Sequence, residues 1–184
     1  MVIPLIDEFE FQEDKKGEVI EKEVENIPPQ IKKRLKTINN IWKHFEINIS
    51  KINKEPRSTS ILMQVILEFY IDEILEITQK SKEFKKIPYE DKIEKLKNSN
   101  ILDSISCDDL VIVYKIRNIY AHELIFNEKR VWDRLKSIKS IFDLGHYLQD
   151  NLNNCIFRIL SIFMKRIQRI YGDILLEEFK KEIS

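Results

Sequence analysis

Only three Gly and five Pro interrupt these 184 residues, so long stretches carry no backbone chemistry that would stop a helix. Beyond residue 26 the breaks are Pro28-Pro29, Pro56, Pro88, Gly145 and Gly172. Between them Ile and Leu recur at three- and four-residue spacing among Lys and Glu. That is the period of an amphipathic helix and not the alternation of a strand. With 43% hydrophobic and 34% charged residues, the chain has enough apolar material to close one core. The pattern predicts an all-α fold, an up-and-down bundle of about five to six helices.

Taken in order, a helix is expected over 30–53, with Ile31, Leu35, Ile38, Ile41, Trp42, Phe45, Ile49 and Ile52 inward and His44 off that stripe. Glu55-Pro56 breaks the chain before the most apolar helix, 58–79, which is apolar around much of its circumference and so is expected at the centre. The lysine-rich stretch 80–105 leaves room for a short helix over 89–97. A helix starting near Ser106, with Ser106 as cap and Asp109 in its first turn, carries Leu110, Val113, Tyr114, Ile116, Ile119 and Tyr120. Asn127 is expected to cap a helix over 128–142, with Trp132, Leu135 and Phe142 inward and Gly145 ending it. A long last helix or helix pair follows over 146–183, with Gly172 as the place for a kink.

Charge is distributed unevenly. The chain has 31 basic and 31 acidic residues. Residues 1–26 hold nine acids against three Lys, a net of −6, so the remainder carries +6. The organisation expected is an acidic arm over 1–28 and a helical domain over 29–184. A zero total charge gives no global basic signature for nucleic acid. Cys107 and Cys155 are isolated and fit a reducing cytoplasm, and neither they nor the three His have metal-ligand spacing. No metal or cofactor is expected. The start of the chain lacks the basic-then-apolar pattern of a signal peptide, and no apolar run approaches the ~20 residues of a membrane span.

The stretch that carries chemistry is Lys115 to Leu124. Arg117, Asn118 and His122 lie near the end of an otherwise apolar helix, with Asn118 and His122 stacked at i, i+4. Arg117-Asn118 followed four residues later by His122 resembles the Arg-x(4–6)-His motif of the HEPN superfamily. Within it the chain is most similar to the mannitol repressor-like branch. Tyr70-Ile71-Asp72-Glu73-Ile74-Leu75-Glu76 resembles a segment of the first core helix of that branch, and the two motifs stand in the expected order within residues 55–145.

The resemblance implies an all-α homodimer with a metal-independent ribonuclease site at the dimer cleft, in a toxin–antitoxin or phage-defence role. It makes RNA and an antitoxin protein the expected partners. Chemistry supports a twofold arrangement. One imidazole cannot easily be both the base that activates a ribose 2′-hydroxyl and the acid that protonates the leaving oxygen. Two copies of His122 could divide those roles. Arg117 would clamp the scissile phosphate, and Asn118 would position a phosphate oxygen or the imidazole. Asp72, Glu73 and Tyr120 are expected to support these side chains from behind. Arg158, Lys165 and Arg169, repeating at seven and four on the last helix, are candidates for contact with an RNA backbone.

Two rival expectations stand beside this one. Glu123 adjoins His122, which is awkward for binding phosphate, and favours a non-catalytic regulatory module that binds RNA, a nucleotide or a protein. In a purely structural reading Arg117 pairs with Asp72 or Glu73 inside the core.

Overall fold

The computed structural model describes residues 28–34, 36–37, 40–41, 55–81, 83–123 and 127–183; no strand occurs among them. Their elements are α1 (Pro56–Gln79), a 3-10 turn (Glu83–Lys86), α2 (Tyr89–Asn98), α3 (Ser104–His122), α4 (Glu128–Lys136), α5 (Leu144–Tyr147) and α6 (Leu152–Ile183). Residues 29–34, 36–37 and 40–41 are also helical; the rest of the helix expected over 30–53, with the acidic arm, lies outside the described residues. The all-α expectation holds. No described helix is long and apolar enough to cross a membrane.

Helix α1 is the hub. Pro56 opens it at the position where a missing N–H costs nothing, and Lys80 closes it in the left-handed region, φ 51°. It packs against α6, α3, α2 and the 3-10 turn. Met63, Ile66, Leu67, Tyr70, Ile71, Ile74 and Leu75 are all buried, whereas Val65 is on the surface. Tyr70 meets Tyr171 of α6 edge-on at 5.5 Å, and Gln168 of α6 donates to the Tyr70 hydroxyl at 3.2 Å. Val113 and Ile116 of α3 share a small apolar gap with Leu135 of α4 and Ile156, Ile159 and Leu160 of α6. Further along α6, Arg166 reaches back to Ser106 near the start of α3, so α3 and α6 run antiparallel.

Several boundaries differ from expectation for local reasons. The cap of α3 is Asp103, not Ser106: its carboxylate accepts from the Ser106 N–H at 2.9 Å, and the Ser106 side chain first, then this backbone bond, hold the Asp103 pKa below its usual value. Helix α4 ends at Lys136, six residues early. Beyond it the buried carboxylate of Asp109 accepts the backbone N–H groups of Lys139 and Ser140, which draws the chain out of helix and against α3. The chain then turns at Asp143, φ 57°, leaving Ile141 buried and Phe142 96% exposed instead of inward. Gly145 lies within the short α5, and α6 passes Gly172 unbroken.

The row Gln64, Glu68 and Asp72 at four-residue spacing on α1 meets α2. Lys92 of α2, only 1% exposed, places its ammonium 2.8 Å from Glu68 and 2.7 Å from Asp72. Burial opposes that charge, yet the hydrogen bonds of Asp72 and Glu68 outweigh it and raise the Lys92 pKa. Burial raises the Asp72 pKa as well, as expected when two carboxylates share one cation away from water. Because the lysine pKa is raised, its contribution to stability is complete at neutral pH and drains only as pH rises past its folded pKa, above 10.5. Removing the cation strands two acids. Lys92→Met should therefore cost about 3–5 kcal/mol at pH 7 by denaturant unfolding, with part recovered at acid pH as Asp72, whose pKa burial raises, takes up a proton. A loss below about 1 kcal/mol would show that the trio contributes little.

Candidate functional site

Helix α3 has two faces. Cys107, Leu110, Val113, Ile116, Ile119 and Tyr120 are buried, whereas Asp108, Lys115 and His122 are exposed. Tyr114 stacks on Tyr89 of α2 at 4.5 Å, and Lys115 pairs with Glu90 at 3.6 Å, so α2 braces the helix from the side.

The polar group of interest occupies the last six residues of α3. Arg117 and Asn118 are half-buried and His122 is exposed. Successive helical residues differ by about 100°, so Arg117 starts out pointing well away from His122. The gap is closed by Asn118, whose side-chain oxygen accepts from Arg117 Nη1 at 3.0 Å, while Asn118 itself lies one turn from His122. With that oxygen taken, Asn118 has its amide N–H groups left to donate outward. The imidazole sits in the last turn of the helix. Glu123, the next residue, is not left as a bare negative charge: Arg130 of α4 pairs with it.

The supporting residues divide. Tyr120 is buried in the core beneath this end of α3, and burial, followed by the nearby charge of Glu128, raises its hydroxyl pKa. Asp72 and Glu73 are engaged elsewhere. Asp72 holds Lys92, and Glu73 holds Arg34, whose other nitrogen reaches Glu76 at 3.1 Å. The expectation that these acids steady Arg117 or His122 is corrected, as is the purely structural pairing of Arg117 with them. The physical reason is position: α2 and the N-terminal helical residues present cations closer to α1 than α3 does.

The basic residues of α6 also divide. Arg158, Lys165 and Arg169 are all exposed. Arg158 pairs with Asp150 at 3.1 Å, with its guanidinium 6.0 Å from the centre of the Tyr147 ring. The Arg166–Ser106 bond sets Lys165 and Arg169 level with the start of α3, and His122 lies about 24 Å further along that helix at 1.5 Å per residue. Those two cations therefore do not gather around the motif. Arg166 itself, inconspicuous in the sequence beside Lys165, turns inward to the Ser106 hydroxyl and, at 3.2 Å, to the Ser140 carbonyl. Lys92 gave one signal: two acids at i, i+4 on α1 waiting for a cation.

Chemically, a guanidinium, a carboxamide and an imidazole on one helix end can bind an anion and move a proton. None of the three lines the apolar gap in the core. Among the described residues no three His, Cys, Asp or Glu side chains group as metal ligands. Burial raises both thiol pKa values, of Cys107 and Cys155, to about 11, which makes them poor nucleophiles at neutral pH. In comparisons with known proteins, no family model, curated protein or solved structure matches the chain.

If Arg117 is held ready for a ligand and does not brace the bundle, Arg117→Met should change unfolding stability by about 1 kcal/mol or less. A loss of several kcal/mol in a denaturant titration would make it a structural residue.

Proposed function

We propose that this chain is a HEPN-type endoribonuclease that cleaves RNA without a metal ion, in a cleft between two copies, within a toxin–antitoxin or defence system. The observation that carries this reading is the exposure of His122 beside a coupled Arg117–Asn118 pair, while the acids that could have tied Arg117 into the core hold other cations. One protomer supplies one imidazole, and the reaction needs a base and an acid. A second copy related by a twofold axis supplies the other.

In this mechanism a neutral His122 takes the proton from a ribose 2′-hydroxyl, whose oxygen attacks the adjacent phosphorus. The 5′-oxygen leaves with a proton from the partner's His122, giving a 2′,3′-cyclic phosphate and a 5′-hydroxyl end. Arg117 neutralises the charge that grows on the non-bridging oxygens, and an Asn118 N–H fixes one of them. A base and an acid of the same residue type give a bell-shaped pH–rate profile.

A second reading is favoured by Glu123, whose carboxylate adjoins the imidazole even though Arg130 pairs with it. In it the chain is a regulatory module that binds RNA, a nucleotide or a protein without cleaving. Incubation of the purified chain with labelled RNA separates the two. The nuclease reading expects cyclic-phosphate ends, indifference to chelator, and a loss of about 100-fold or more in His122→Ala with the fold intact. Full activity in that variant would refute the role of His122. Tight binding of RNA without cleavage by the unaltered chain would select the regulatory module.

A further inference from the structure

We propose that Arg130 enables the end of α3 to accept an RNA phosphate by cancelling the charge of Glu123, without touching the RNA itself. The inference rests on the reading above that RNA meets Arg117, Asn118 and His122. It holds whether the chain then cleaves the RNA or only binds it.

Helix geometry sets the problem that Arg130 solves. At about 100° per residue, Asn118 and His122 share one face of α3, and Arg117 and Glu123 leave the helix on opposite flanks of that face. Arg117 is drawn toward the face by its bond to Asn118. The opposite flank carries a carboxylate on the residue next to His122, one Cα step of about 3.8 Å away. Salt screens charges over about 8 Å at physiological ionic strength, so an acid this near opposes any anion that settles on the face. The Glu123 side chain is also only 26% exposed, and water damps it less than a carboxylate standing in solvent. Glu128 lies near as well, its charge felt at the Tyr120 hydroxyl, but it is exposed and already damped by water.

Among the described residues, Arg130 is the cation that pairs with Glu123. Its backbone is held in place. The Arg130 N–H donates to the Asn127 carbonyl at 3.1 Å and to the Asn127 side-chain oxygen at 3.4 Å, and the next residue, Val131, is wholly buried. The first turn of α4 is thereby fixed beside the last turn of α3. Stability gives little reason for the pair: the Arg130 side chain is 57% exposed, and ion pairs so open to water contribute little to folding. Its effect is on the local charge, and an arginine supplies that charge at every working pH.

The test titrates the full chain with a fluorescein-labelled 2′-O-methyl oligouridine, read by fluorescence anisotropy at an ionic strength of about 0.01 M. This probe has phosphates but no 2′-hydroxyl to react, so it reports binding alone. Arg130→Gln is expected to weaken binding about fivefold, and Glu123→Gln not to weaken it. The double variant Glu123→Gln, Arg130→Gln is expected to bind within about twofold of the unaltered chain, all three variants keeping their circular dichroism. That rescue separates charge from structure, because the double variant lacks the ion pair just as Arg130→Gln does. A double variant as weak as Arg130→Gln would overturn the proposal, since Arg130 would then touch the RNA or brace the helix end. Unchanged affinity in Arg130→Gln, with Arg117→Met still weakened, would overturn it too and leave the reading of the site standing. Unchanged affinity in Arg117→Met, or no binding by the unaltered chain, would overturn the reading of the site and the proposal with it.

Discussion

An ammonium sealed from water between two carboxylates fixes how the first half of this protein goes together. Lys92 satisfies Glu68 and Asp72 of α1 at once, and the buried ammonium would be penalised heavily without them. Such a contact is demanding in geometry, so it selects one placement of α2 on α1. From that placement α2 reaches sideways to α3 through Tyr89 and Glu90. The helix bearing Arg117, Asn118 and His122 is thus held between an apolar hub and a polar brace.

A second polar knot does the same at the other end of α3. Asp109 collects two backbone N–H groups after α4, and Arg166 ties Ser106 to Ser140. Buried polar groups of this kind add direction to a core whose apolar contacts are largely indifferent to register. One consequence is visible at the surface. The chain that Asp109 pulls inward cannot remain helical through Phe142, and the ring is left in solvent. The same constraint that secures α3 thereby leaves Phe142 exposed.

The C-terminal end of α3 is organised differently. Its polar side chains are coupled to one another and to the surface, not to the core. Arg117 and Asn118 are neighbours in sequence whose side chains diverge by geometry and meet by a hydrogen bond. His122 keeps access to water at the helix end. A group so placed is open to a ligand from solvent.

Helix-period spacing and scarce breakers made the bundle legible in the chain itself, as they did the central place of α1 and the Asn127 cap of α4. That Arg117, Asn118 and His122 share one helix end was equally legible, because identity and spacing along one helix determine which groups meet there. What the sequence could not reveal was who pairs with whom across helices. By spacing alone, Asp72 was free to meet Arg117 or Lys92, Lys165 and Arg169 to join the motif or not, and Phe142 to face in or out. Periodicity sets the direction of a side chain relative to its own helix axis, whereas an ion pair depends on where a second axis lies. That position follows from the packing of all the helices together, so only the tertiary structure could decide it.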